Sequence, residues 1–474
     1  MYNYTTALIF ALLAAAPAMT AAQATGTGVR APEWLPAEPI RLIDGPSARA
    51  LMDSYVAEGL SRNLALAGQA LAEKRAGYGV READGRMLPS VGLNARYTEF
   101  SGVVNIGDFV NPTYRALNQI LGEDRFPTNI NTTLPQRQET KLAVTQPIYN
   151  AALNGNRALA RAIRDATGAQ RRLLMRQLTA DIQTAWLGYA SAVRVLQALR
   201  ATLPVLDENF RVSERLVASG QATVDATYRA RAERSELLQQ IAEAEVNESA
   251  TRRTFNLLRD RDADAPITVA DDNTLVAAEP IALADAIANA LHDREELDAA
   301  DQGIRIANAQ RRITGSAWKP AVTLAADYGV QGNSYQFDRQ HDVATASLVV
   351  SWNAFNGGQD AARRSQATIA RDEAELQRRS VEQRIRSQVA VARDALVAAR
   401  TSLTTSGDRL ESARRSFTLV ERRYAEGLAA PVDFLGARSA LTNATINQVL
   451  TRYSYAARAV EFERVAALRA LPVR

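Results

Sequence analysis

The 474 residues suffice for one large unit or two to three ordinary domains, and two histidines with no cysteine remove most metal sites, thiol chemistry and disulfides. Basic and acidic residues number 56 and 52, a formal charge of +4 spread along the chain, whereas a nucleic-acid surface needs basic residues gathered on one face. No nucleophile, phosphate-loop or metal constellation points to an enzyme, and no cofactor is implied.

In chain order, Leu8 to Ala24 form an apolar core ending in a small-x-small site, which reads as a signal peptide over residues 1–24. No Lys or Arg precedes that core, and the lack of cysteine excludes a lipid-anchored mature N-terminus. Residues 25–46, with Trp34 and four prolines, read as an extended leader. No later run approaches the roughly 20 apolar residues of a transmembrane helix, so a mature chain that spans a membrane must use strands.

From Ser47 to about Arg86 the composition is helical, and Val91, Leu93, Ala95 and Tyr97 then alternate with polar positions as a strand. A polar stretch to Gln138 holds one helix-like insert, with Asn111 as expected cap and Pro112 in the first turn. A returning strand at 140–149 feeds a helix from Ala151 to Ser219 whose Met175, Leu178, Ile182, Ala185, Tyr189, Ala192, Leu196 and Leu199 form a heptad seam. Pro204 is expected to kink or end it locally. Gly220 closes that helix, another follows from Ala222 to Arg259, and the Asp-rich residues 261–280 read as a connector. Its carboxylates lack the ordered spacing and turn glycine of a calcium loop.

The programme then repeats. Leu60 to Tyr97 matches Leu291 to Tyr328 at an offset of 231, while Tyr149 and Asn150 match Phe355 and Asn356 at 206, so the first strand-to-strand loop is 25 residues longer. Gly220, Ala230 and Arg231 match Gly427, Ala437 and Arg438 at 207. Residues 47–260 and 281–474 are therefore two repeats of helix, strand, loop, strand, long helix, Gly turn and helix. In the second, Ala344, Ala346, Leu348, Val350 and Trp352 alternate with mostly polar positions before Asn356, Gly357 and Gly358 turn the chain into a helix reaching Glu426, with its own seam at Ile385, Val389, Ala392, Leu396, Ala399 and Leu403. Helices of about 70 residues would reach on the order of 100 Å and need lateral partners. Four strands per chain cannot close a barrel, and an open edge is not tolerated in lipid, so closure must come from oligomerisation.

The tandem repeat, LPSVGLNARY and KPAVTLAADY as rising strands, TQPIYN and WNAFNGG at strand-to-helix turns, and RLVASGQAT and RRYAEGLAAPVDF at helix turns resemble the TolC family of outer-membrane channels. The resemblance runs from Ser47 to Leu471. It implies a mainly α, mixed fold: a homotrimer whose helical hairpins form a periplasmic tunnel and whose twelve strands form one barrel in outer-membrane lipid. It also implies a periplasmic adaptor and an inner-membrane transporter as partners, for small-molecule efflux or, with the same channel, type I protein secretion. A coiled-coil envelope or adhesion protein would explain the signal and heptads but not four strands placed symmetrically between them.

By the same resemblance Asp433 and Tyr424 match gate positions, and Gly220 and Gly427 the turns of the periplasmic tip. Asp225 stands five residues after Gly220, where the sixth position is Ala226, and the second acidic gate position is Gly436, so a second acidic ring is not expected. A plainer reading of Asp433 and Asp225 stays open, since a carboxylate in a first helical turn is favoured by the exposed amides whatever its function. Pro147, Asn356, Gly357 and Gly358 mark the barrel-to-tunnel turns, the first of which carries Ala151 and Ala152 in place of the two glycines. Tyr149, Trp352 and Phe355 suit a membrane-interface girdle or, equally, aromatic packing where barrel meets helix.

Overall fold

The computed structural model describes residues 47–99, 101, 104–132, 137–271, 275, 281–333 and 341–471. The expected signal peptide, the leader and part of the connector lie outside the described residues. In order, the elements are α1 (Ala48–Arg62), α2 (Leu64–Gly85), β1 (Ser90–Tyr97), α3 (Ile106–Leu121), β2 (Gln138–Tyr149), α4 (Ala151–Ala218), α5 (Val224–Leu258), α6 (Leu283–Asp293), α7 (Glu295–Gly315), β3 (Ala321–Gly332), β4 (Asp342–Ser351), α8 (Gln359–Ala425) and α9 (Pro431–Val465). Two compact units result. One gathers Ile43–Arg194, Ala244–Ser402 and Arg452–Arg474 around the sheet and a helical core, and the other contains Val195–Glu243 and Leu403–Thr451, the ends of two helical hairpins.

The helical segment before β1 and that before β3 are each broken in two, as α1–α2 and α6–α7. The expected single helix over 47–86 is split at Asn63, whose side chain accepts from the amides of Ala65 and Leu66 and so starts a new helix. Arg294, the equivalent position at offset 231, separates α6 from α7 without a side-chain cap of its own. Its buried guanidinium pairs with Glu296 and donates to Gln388 of α8 at 2.7 Å. Pro204 neither ends nor divides α4.

Apolar seams at steps of three and four bury one helical face, each large side chain contributing about 1.5–3 kcal/mol. In the second repeat Ala286, Ala290 and Leu297 meet Ile385, Val389, Ala392 and Leu396 of α8 and Ala459, Phe462 and Val465 of α9. In the first, Ile182, Tyr189 and Phe255, which correspond to Val389, Leu396 and Phe462 at offset 207, are buried likewise. Ile182 lies so close to Gly59 of α1 that a Cβ there would fall 2.4 Å from its Cδ1. Trp186 is the largest fully buried side chain, and its indole N–H donates to the Thr268 carbonyl at 3.1 Å.

The four strands form one sheet in the order β1-β2-β3-β4, antiparallel throughout. β1 and β4 are its edges. The helical insert between β1 and β2 begins earlier than expected: Asn105 caps α3 by accepting from Gly107 N, and Pro112 lies inside the helix. Asn111, expected as the cap, instead binds the backbone of Ile130 in both directions.

Candidate functional site

Register gives the sheet two faces of opposite character. Val91, Val144, Ala326 and Ala346 form one row across it, and Leu93, Leu142, Tyr328 and Ala344 the next, so one face is a continuous apolar surface. That surface is open to solvent in the single chain. The other face is a polar ladder. Arg96 and Lys141 reach Glu139 at 2.7 and 2.6 Å, Thr345 donates to Asp327 at 2.6 Å, and Ser90 and Thr145 meet at 2.6 Å.

A β-bulge between Pro147 and Tyr149 leaves Ile148 unpaired and moves Tyr149 into the row of Val322 and Val350, on the apolar face. Proline, lacking an N–H, fits such an irregularity. Trp352 continues the same alternation one step past Val350, just beyond the end of β4, and Phe355 stands 83 % exposed farther along. No helix among the described residues is long and apolar enough to cross a membrane.

The two strand-to-helix junctions are built differently. Asn150 alone separates β2 from α4, and its side chain accepts from Ala152 N at 3.0 Å as a helix cap. Between β4 and α8 lie residues 352–358, with Gly357 and Gly358 at φ 66° and 82°, and Asn356 accepting from Asp360 N at 3.3 Å. Those φ values belong to the left-handed region, where a Cβ costs about 1–2 kcal/mol.

In the hairpin unit, Gly220 and Gly427 end α4 and α8 in one motif, at φ 73° and 74°. Leu428 N donates to Arg423 O at 2.7 Å and Gly427 N to Tyr424 O at 3.1 Å, and Gln221 and Gly220 repeat this onto Leu216 and Val217. Past these turns the hairpins diverge. In the second, the Tyr424 ring stacks on Phe434 at 4.8 Å, Phe434 meets Phe417 at 5.6 Å, and the Arg438 guanidinium lies 5.3 Å over Phe417. In the first, Arg231 lies over Phe210 at 5.8 Å, but Val217 and Thr227 stand where Tyr424 and Phe434 would be.

Asp433 is exposed in the first turn of α9, where its carboxylate accepts from Ala430 N at 3.4 Å. It caps its own helix. Asp225, exposed at the start of α5, accepts from Thr223 Oγ1 and pairs with Arg229 at 3.2 Å. Among the described residues no hydrogen bond joins Asp225 to Tyr424, whose hydroxyl burial pushes its pKa upward. Phe417, Phe434 and Arg438 were not expected at this site. The signal for two of them was present, since Phe210 with Arg231 and Phe417 with Arg438 repeat at offset 207.

Burial also raises the Glu421 carboxyl pKa, partly offset by Arg438 and Arg422, while burial lowers that of Arg438. A carboxyl raised in the folded state binds its proton more tightly there than in the unfolded chain. Stability is therefore gained as pH falls through the raised value and lost as pH rises above the ordinary carboxylate range. Amide-exchange protection over 417–438, corrected for intrinsic rates, is expected to rise as pH is lowered from neutral toward the ordinary carboxylate range, and Glu421→Gln to flatten the trend.

Residues 286–467, most of the second repeat, match the family model described as Outer membrane efflux protein. No curated protein matches the chain significantly. Among solved structures, a Pseudomonas aeruginosa membrane protein aligns at 18 % identity and TM-score 0.73, over 93 % of this chain and all of the other. The Campylobacter jejuni CmeC outer membrane channel aligns at 14 % identity and TM-score 0.74, over 93 % and 94 %. The open state of the Neisseria gonorrhoeae MtrE outer membrane channel aligns at 16 % and TM-score 0.71, over 88 % of each chain. At these identities the likeness is one of fold: long helices joined to a four-stranded antiparallel sheet.

Proposed function

We propose, from the match of residues 286–467 to the family model described as Outer membrane efflux protein, that this chain is the outer-membrane channel of a tripartite export system. It is a passive conduit of three copies, engaged by a periplasmic adaptor and an inner-membrane pump, and its cargo is small molecules. The observation that carries this reading is a four-stranded sheet with two free edges, one apolar face and one polar face. Backbone groups at an open edge have no partner in lipid, so β4 of one copy pairs with β1 of the next until twelve strands close. The apolar face then meets lipid, Tyr149, Trp352 and Phe355 sit at the headgroup boundary, and the Arg96–Glu139–Lys141 ladder lines the lumen.

The experiment is fractionation of the expressed chain. A trimer that survives heating in detergent and is recovered from the outer membrane supports the conduit, and an elongated soluble species overturns it.

At the hairpin ends, Asp433 is the gate residue of this reading: three copies around an axis make an acidic ring that attracts cations. Because the carboxylate also caps α9, Asp433→Ala removes a helix-end interaction of about 0.3–1 kcal/mol, too little to unfold the hairpin. Single-channel recordings are expected to show a reduced preference for cations. Unchanged selectivity would reduce Asp433 to a helix cap.

A further inference from the structure

The loop between β1 and β2 is a built element. Its base is closed by Thr98 N donating to Arg137 O at 2.7 Å and by the Glu99–Arg137 ion pair at 3.2 Å. Within it, three asparagines hold the returning segment 122–132 against α3. Asn105 accepts from Thr132 N at 3.0 Å, Asn111 exchanges hydrogen bonds of 2.8 and 2.9 Å with Ile130, and Asn118 accepts from Arg125 N and Phe126 N while donating to Phe126 O at 2.8 Å. Tyr114 packs on Phe126 at 5.2 Å. Gly107 is pressed so close to Ile130 O that a Cβ would fall 1.7 Å from it.

All this uses one side of the helix. Asn111 and Asn118 are seven residues apart, hence on one face, with charged Asp108 and Arg115 beyond them. The remaining face carries Ile106, Phe109, Thr113, Leu117 and Ile120 at steps of three and four. Among the described residues it is unpartnered, with Phe109 68 % and Ile120 79 % exposed. A rigid apolar stripe of this kind marks a contact.

Two observations choose the occupant. The loop springs from β1, the edge strand across which the next copy pairs in the trimeric reading, so three such loops are brought together around one mouth. Its charge is also wrong for an anionic lipid surface, which selects clustered Lys and Arg: between 105 and 132 the two arginines, Arg115 and Arg125, are outnumbered by Asp108, Glu123 and Asp124. Resting on the trimeric conduit reading, we infer that the α3 stripes of three copies pack on one another about the channel axis and form an apolar cap over the outer mouth. The loop between β3 and β4, residues 333–341 against 98–137 between β1 and β2, has no such helix among its described residues. The cap narrows the exit and excludes large solutes from outside.

The absence of native cysteine makes the test clean, because any introduced thiol is the sole reporter. In outer-membrane trimers of the full chain, Ile120→Cys treated with copper phenanthroline is expected to convert the monomer band of a denaturing, non-reducing gel to dimer. Arg115→Cys, on the opposite face, is expected to remain monomer. A paired variant, Phe109→Asp with Ile120→Asp, is expected to keep the heat-resistant trimer and raise single-channel conductance. Trimers in which Ile120→Cys gives no dimer overturn the cap, with reaction toward a membrane-impermeant maleimide indicating a free face and quenching of an attached fluorophore by doxyl-labelled lipid indicating a membrane contact. A wild-type chain that forms no trimer overturns the conduit reading itself, and the cap falls with it.

Discussion

Arg176→Ala is expected to destabilise the chain by about 3–5 kcal/mol, the effect of stripping one partner from a buried ion pair. The Arg176 guanidinium grips Glu295 through Nε and Nη2 at 2.6 and 2.7 Å, and Nη1 donates to the Arg469 carbonyl at 3.1 Å. Both side chains are more than nine-tenths buried. Alanine would leave the Glu295 carboxylate desolvated with no countercharge, which costs far more than the pair contributes. The contact also joins α4 of the first repeat to the start of α7 in the second, so its loss loosens the register between repeats. Thermal unfolding in detergent checks the single variant. Replacing both partners together, Arg176→Met with Glu295→Leu, is expected to restore most of the midpoint, and a double variant as unstable as the single one would contradict this account.

Phe434→Ala is the second large effect, and a functional one. Phe434 is buried between Tyr424 and Phe417, and truncating a buried phenylalanine costs about 3–5 kcal/mol through lost transfer energy and the cavity left behind. Each lost ring pair adds about 0.5–1.5 kcal/mol. The loss falls at the end of one hairpin, so the expected outcome is local opening rather than global unfolding. Amide exchange over 417–438 should accelerate and, on the gate reading proposed above, single-channel conductance should rise. Thr227→Ala, at the equivalent place in the first hairpin, is expected to leave both measurements near wild type. Equal effects at the two positions would show that the ring stack is not what distinguishes the hairpins.

Much of the architecture was legible because the chain states it twice. Alternation in 344–352, heptads such as Ile182–Tyr189–Leu196, and constant offsets between repeats are periodic signals that survive without knowledge of partners. Single-residue events were less so. Asn105 and Asn111 are both good caps in isolation, and the choice between them is made by Ile130 and Thr132, distant in sequence. Pro204 leaves α4 unbroken because packing along so long a helix outweighs one missing hydrogen bond. The bulge at Ile148 depends on β3, and the Tyr424–Phe434 stack depends on how two helices meet across a turn. Asp433 was legible as a position, while its hydrogen bond to Ala430 N belongs to the helix end.

The unlike junctions at Asn150 and at residues 352–358 have a mechanical consequence. In the ring of the proposed trimer six attachments of wall to barrel would alternate, every second one stiff, with a capped helix growing directly from its strand, and every second one supple, with two left-handed glycines between. Torque applied to the helices from below would not spread evenly around that ring. It would be absorbed at three points a third of a turn apart, so the helices of the second repeat can swing while those of the first hold the barrel's bearing.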